Sequence, residues 1–187
     1  MRVTAGRWRG RKLQAPSGQQ VRPTTDRVKE AVFNILGDAV CGALVLDLCC
    51  GSGGLGVEAL SRGAREVVFV DSSRRALAAA RRNLEACGAE PSTWRLVESD
   101  ASGWLSRHLA AGSTEPWLLL ADPPYGRGLA SGLAALLGED MVNPGLLAAV
   151  LEHGAEERPE AAGLDTDCRS YGTSRVTVLR PRQEEQP

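Results

Sequence analysis

The chain has 187 residues, 43% of them hydrophobic and 24% charged, which gives one compact domain with a real core and excludes intrinsic disorder for its body. No apolar run reaches the roughly 18 residues a membrane span needs, and the first residues lack a signal peptide's apolar stretch, so a soluble, cytoplasmic protein is expected. The net charge of -1 hides an asymmetry: residues 1–29 hold eight basic side chains against one acid, Asp26, a balance of +7, and the remainder carries -8. A basic segment on an acidic body suits contact with a polyanion, although a solvated terminus with no partner fits the same numbers. Trp8, between Arg7 and Arg9, adds an aromatic face of the kind that stacks on unpaired bases.

In chain order, residues 1–15 read as short extended segments around Gly6 and Gly10, a hairpin pattern, and residues 16–24 as a loop rich in Pro, Gly and Ser. Thr25 or Asp26 can cap a helix with Val28, Ala31, Val32, Ile35 and Leu36 on one face, closed by Gly37. A repeating alternation follows. Residues 43–46 form a buried strand that leads into a glycine-rich turn and a helix ending near Gly63. Residues 67–70 are a second strand, after which Ser72 or Ser73 caps a helix with Ala76, Leu77, Ala80 and Leu84 on one face, stopped by Gly88. Residues 94–97, 117–121 and 146–151 read as three further strands. Continuously apolar strands between helices make a parallel sheet covered on both faces. Residues 175–180 alternate instead, which predicts an antiparallel strand at the sheet's end. The five cysteines (41, 49, 50, 87 and 168) form no CxxC pair and no zinc spacing, so they read as small semi-buried hydrophobes in a reducing compartment, and no metal is expected.

Ligands of such sheets bind beyond the carboxyl ends of the strands. Strand one leads there into Asp47-Leu48-Cys49-Cys50-Gly51-Ser52-Gly53-Gly54-Leu55-Gly56. Gly51, Gly53 and Gly56 let the backbone turn tightly and approach a ligand, and the next helix offers its free N–H groups. Asp71 ends strand two, placed for ribose hydroxyls, and Asp100 follows strand three, placed for an adenine amine or as a helix N-cap. The G-x-G-x-x-G pattern fits a nicotinamide cofactor as well. Asp47 favours S-adenosylmethionine, because a carboxylate there receives a cationic amino group but repels a pyrophosphate.

Asp122-Pro123-Pro124-Tyr125 follows strand four directly. Two prolines remove two N–H donors and stiffen the turn. The Asp122 carboxylate and a proline carbonyl then form two acceptors for an –NH2 group, and Tyr125 offers a flat face to the ring that bears it. His108 and His153 read as surface or strand-end residues, and Trp104 and Trp117 as core.

The Asp47–Gly56 loop, Asp71 and Asp122-Pro123-Pro124-Tyr125 together resemble the class I S-adenosylmethionine-dependent amino-methyltransferases. More narrowly, three blocks resemble the RsmD-type 16S ribosomal RNA guanine-N2 methyltransferases: residues 6–13 (GRWRGRKL), 22–30 (RPTTDRVKE) and 51–64 (GSGGLGVEALSRGA). The similarity runs over nearly the whole chain and is weakest at residues 139–170. Cys49-Cys50 departs from the aromatic and small residues usual there, which implies a slightly altered cofactor wall. The resemblance implies a Rossmann-like fold: a mostly parallel seven-stranded sheet with helices on both faces, an antiparallel C-terminal strand and a small basic N-terminal extension. The boundaries expected are 1–37 for the extension, 38–182 for the methyltransferase domain and 183–187 for a frayed tail.

It also implies catalysis by Asp122, Pro123, Pro124 and Tyr125, and cofactor binding by Asp47, Gly51, Ser52, Gly53, Asp71, Ser72, Asp100 and Ala101. Arg7, Arg9, Arg11, Lys12, Arg22, Thr24, Thr25 and Arg27 are the expected RNA contacts, the last four including Arg22 at the active-site mouth. The partner implied is 16S ribosomal RNA, free or within the small ribosomal subunit, met by a monomer. The alternative is a DNA adenine-N6 or cytosine-N4 amino-methyltransferase, for which 187 residues leave little room for a target-recognition domain.

Overall fold

The computed structural model describes residues 1–15, 25–112, 114–138 and 145–182. Five helices alternate with seven strands that form one sheet: α1 (Asp26–Leu36), β1 (Leu44–Leu48), α2 (Gly54–Ser61), β2 (Glu66–Asp71), α3 (Arg74–Cys87), β3 (Trp94–Glu98), α4 (Ala101–Ala111), β4 (Trp117–Ala121), α5 (Leu129–Gly138), β5 (Leu146–His153), β6 (Leu164–Tyr171) and β7 (Ser174–Pro181). The spatial order is β3-β2-β1-β4-β5-β7-β6, parallel from β3 to β5 and antiparallel across β7 and β6. The antiparallel strand read from residues 175–180 is therefore not at the edge. It lies between β5 and β6, and the edge strand β6 carries no apolar alternation that a sequence reading could catch.

The central strands are buried along their whole length because each feeds two cores. Successive side chains of a strand point to opposite faces. Val45, Val67, Phe69, Leu118 and Leu120 meet α1, α2 and α3 on one face, whereas Leu46, Val68, Val70 and Leu119 meet Leu105 of α4 and Leu133 of α5 on the other. Burying each such aliphatic or aromatic side chain stabilises the fold by about 1.5–3 kcal/mol before entropy is counted. No helix among the described residues is long and apolar enough to cross a membrane.

The N-terminal segment packs into the first of these cores. Arg2 bridges Lys12 in an antiparallel pair, and Leu13 N–H donates to the Met1 carbonyl, so residues 1–13 fold back as a hairpin around a short helical turn at Gly6–Trp8. Val3, Trp8 and Leu13 are buried with Val32, Phe33 and Leu60. Trp8 is thus a core residue rather than a base-stacking one, and its ring carries the Arg7 guanidinium at 4.1 Å.

Glu58 of α2 holds this segment down. Its carboxylate accepts from Thr4 N–H (2.8 Å), the Thr4 hydroxyl (2.7 Å), Ala5 N–H (3.0 Å) and Arg62 Nε (2.9 Å), and it pairs with Lys29 at 3.5 Å. The side chains of Lys29 and Glu58 are both 0% exposed. The buried face of α1 therefore runs through Val28, Lys29, Val32, Phe33 and Leu36, with Ala31 and Ile35 only partly covered. His153 is the last residue of β5, a strand end as expected, and it is buried there, bonded to the Gly154 carbonyl and Thr177 Oγ1. Cys41 and Cys168 are exposed, and all five thiols are free. Trp117 is core, and Trp104 packs against the second cluster while stacking on His108.

Candidate active site

The carboxyl ends of β1 to β5 open onto one cavity of about 920 Å³. Asp47, Gly51, Ser52, Asp71, Ser72, Asp100, Ala101, Asp122, Pro123, Pro124 and Tyr125 all line it. Of the expected cofactor residues only Gly53 does not. Its φ of +78° supplies the turn before α2, and a Cβ there would crowd Phe69 and Ala80 at 3.1 Å. Gly56 is likewise a packing residue, since a Cβ on it would lie 2.2 Å from the Phe69 ring. Without a side chain its N–H reaches Asp47 Oδ2 at 2.9 Å.

The loop between β1 and α2 is held from two sides. Asp71 accepts from Gly51 N–H at 2.9 Å and from Ser73 N–H at 2.8 Å, so it ties the loop to the start of α3. Ser73, not Ser72, caps that helix; Ser72 stays exposed on the cavity wall. Buried Asn83 donates to the Ser52 carbonyl (2.9 Å) and the Gln14 carbonyl (3.0 Å) and accepts from Gln14 N–H (2.9 Å). The hairpin segment is thereby stitched to the loop, and Met1 and Ala15 join the cavity wall, which places the segment nearer the cofactor residues than its sequence suggested. Asp100 caps α4, accepting from Gly103 N–H at 2.7 Å, and faces the cavity as well.

The site is strongly negative. Asp47 is only 1% exposed, and burial, reinforced by Asp122 and Asp71, pushes its carboxyl up to about 8. Burial and the same three carboxylates push Cys49 up to about 12, and burial with Asp47 and Asp71 raises Cys50 well above its ordinary value. Cys49 and Cys50 both line the cavity, and Cys49 (φ 56°) is the one non-glycine residue with positive φ among those described. Such a field favours a cationic ligand and disfavours phosphates.

Asp122 follows β4 and is half-buried, Pro123 is buried, and Tyr125 stands 38% exposed at the rim. The Tyr125 hydroxyl lies 2.9 Å from Glu152 Oε1 at the end of β5 and 2.8 Å from Ser174 Oγ at the start of β7. Burial and the Glu152 carboxylate push this phenol up, against the Ser174 hydrogen bond. The sequence reading missed Glu152 and Ser174, whose neighbours carry no motif, and also Arg127, a cavity-lining cation two residues past Tyr125.

The expected RNA contacts divide. Arg7, Arg9, Arg11 and Lys12 are exposed on the hairpin, where Arg11 donates to the Ala86 carbonyl of α3. Thr25 caps α1 and Arg27 is exposed on that helix, but neither lines the cavity mouth. Arg22 and Thr24 lie outside the described residues. Part of the +7 is also neutralised, since Lys29 is buried against Glu58 of α2.

Residues 1–180 match the family described as conserved hypothetical protein 95. This chain belongs to that family, the RsmD family. It is 37% identical over 188 residues to the "Putative rRNA methyltransferase YlbH" of Bacillus subtilis, covering 97% of this chain and all of that one. It is 37% identical over 140 residues to the "Ribosomal RNA small subunit methyltransferase D" of Escherichia coli K12, covering 75% of this chain and 68% of that one. Among solved structures, the "Putative methyltransferase yhhF" of Escherichia coli superimposes with a TM-score of 0.77 at 32% identity, covering 98% of this chain and 99% of that one. Family and fold are thus those of Rossmann-like methyltransferases.

Proposed function

We propose that this protein is an S-adenosylmethionine-dependent methyltransferase acting on the exocyclic N2 amine of a guanine in 16S ribosomal RNA. One observation carries the reading: Asp122-Pro123-Pro124-Tyr125 and the Gly51 loop with Asp71 face a single acidic cavity. The naming of the Escherichia coli relative as a small-subunit methyltransferase supports the RNA as substrate.

The residues present fit the cofactor. Burial, Asp122 and Asp71 all disfavour ionisation of Asp47, and a ligand with an ammonium and a sulfonium would offset that cost. Asp71 would take the ribose hydroxyls, Asp47 the ammonium side, and Asp100 with Ala101 the adenine, with Ser52 and Ser72 as wall. When bound, S-adenosylmethionine supplies an electrophilic methyl group on sulfur.

The chain's own residues would do the rest. Tyr125 stacks on the guanine ring, which requires an unpaired or extruded base. The Asp122 carboxylate and the Pro123 carbonyl accept the two amine hydrogens, so the nitrogen becomes more pyramidal and its lone pair points into the cavity. Fixed acceptors of this kind stabilise positive charge as it develops on nitrogen. Asp122 would also take the proton that the alkylated nitrogen sheds. Residues 1–37, with Arg7, Arg9, Arg11 and Lys12 outward, would hold the RNA backbone against the 38–182 domain.

The test is methylation of purified small-subunit RNA and of DNA by the pure protein, with nucleosides resolved by mass spectrometry. N2-methylguanosine in RNA is the expected product. N6-methyladenine or N4-methylcytosine in DNA would replace this reading with the DNA one.

A further inference from the structure

Glu152 is a buried carboxylate, 6% exposed, at the end of β5. Burying a charge is costly unless hydrogen bonds compensate for it. Among the described residues the Glu152 side chain makes one hydrogen bond, through Oε1 to the Tyr125 hydroxyl, and its Oε2 has no partner. The β5–β7 ladder at this point runs through backbone pairing of Glu152 with Val176 and does not require the carboxylate.

A tyrosine hydroxyl has one proton to give. Glu152 takes it, so the Ser174 hydroxyl must be the donor in its 2.8 Å contact with the Tyr125 oxygen. Ser174 is itself buried, and it opens β7 beside the end of β5. Two rigid strand ends therefore hold the far tip of Tyr125, while its ring remains exposed at the cavity rim.

We propose that Glu152, assisted by Ser174, is a positioning residue that fixes the direction of the Tyr125 side chain before a substrate base arrives. The inference rests on the reading of Tyr125 as the platform for that base. A ring anchored at its tip has few rotamers left to lose when it is covered, so base binding is not charged for ordering it. The same bonds explain a buried carboxylate that no other described residue hydrogen-bonds.

The experiment is a double-mutant cycle on kcat/KM for RNA with Tyr125→Phe, Glu152→Ala and the two combined, together with Tyr125→Ala, Glu152→Gln and Ser174→Ala. Melting temperature and cofactor affinity are measured on each. Tyr125→Phe and Glu152→Ala should each lower kcat/KM by roughly 2- to 12-fold, the factor that freezing one side chain represents. The double variant should be no worse than either single one, and Glu152→Gln, which keeps an acceptor oxygen, should recover most of the loss. Cofactor affinity should not change.

Losses that multiply in the double variant, or a Glu152→Ala protein as active as the wild type, would overturn the clamp. If Glu152→Ala fails to fold, Ser174→Ala in the same cycle with Tyr125→Phe decides the matter by the same criterion. Tyr125→Ala separates the two levels. Heavy loss there with a harmless Glu152→Ala removes only the clamp, whereas a harmless Tyr125→Ala removes the platform reading and the clamp with it.

Discussion

Replacing Glu58 by Ala should do more damage than any other single change at the junction of the N-terminal hairpin and α2. The side chains of Lys29 and Glu58 are both fully buried, 3.5 Å apart, and the substitution leaves the ammonium only the Arg2 carbonyl and, at 3.8 Å, Asp26. Breaking a buried ion pair from one side costs about 3–5 kcal/mol. The hairpin also loses its acceptor for Thr4 N–H, the Thr4 hydroxyl and Ala5 N–H. For a chain of 187 residues the melting temperature should fall by about 6–20 °C. Calorimetry reads the shift, and limited trypsin digestion should cut faster after Arg7 and Arg9 as the hairpin detaches. A companion Lys29→Met substitution removes the under-compensated buried charge and should restore about 2 kcal/mol of the loss. The pH dependence has a definite sign. Burial pushes the Glu58 carboxyl up, but the Thr4 amide and hydroxyl, Arg62 and Lys29 together hold it below its usual range. Its stabilising contribution is therefore present above the unfolded-state value and is lost as pH falls through the folded one, so acid should loosen the wild-type hairpin first. A loss under about 1 kcal/mol for Glu58→Ala, or no recovery in the double variant, would refute the reasoning.

Asp122→Ala should lower turnover by about 100- to 1,000-fold while leaving cofactor affinity nearly intact, and retention of half the wild-type turnover in a methyl-transfer assay would remove its proposed role. Asp71→Ala deprives Gly51 and Ser73 N–H of their acceptor and the cofactor of a charged one, so calorimetry should show affinity for S-adenosylmethionine weakened by roughly 10- to 150-fold. Asp47, with its carboxyl near 8, is mostly protonated in the free protein at pH 7, so binding the cationic cofactor should release a proton and tighten as pH rises towards 8; equal binding heats in buffers of different ionisation enthalpy would count against it. Replacing Arg7, Arg9 and Arg11 together by Ala should flatten the slope of log RNA affinity against log salt by up to about 2, and an unchanged slope would place RNA binding elsewhere.

The strands that build the site were legible because β1, β2 and β4 are buried on both faces, which forces continuous apolar runs on the sequence. The motifs at their carboxyl ends were legible for the same reason, since a strand's end fixes where Asp47, Asp71 and Asp122 must lie. What was hidden depends on partners distant in sequence. Lys29 enters the core because Glu58 of α2 and the Arg2 carbonyl of the hairpin receive it, and no periodicity within α1 can announce that. Trp8 looks like a nucleic-acid aromatic between two arginines until Ser61 Oγ takes its backbone N–H and the side chain is buried in the first core. The edge strand β6 is largely exposed, so its Asp, Thr, Arg and Ser residues were under no pressure to alternate. Glu152 and Ser174 meet Tyr125 only through the β5–β7 pairing, which brings together residues far apart in the chain.

The central claim concerns one amine in one RNA. Small-subunit RNA from cells with and without the gene, digested and mapped by mass spectrometry, tests it most directly. The account predicts one guanosine bearing a single N2-methyl group in the first sample, and the same guanosine unmodified in the second, restored by the wild-type gene but not by Asp122→Ala. Identical modification maps in the two strains would contradict it.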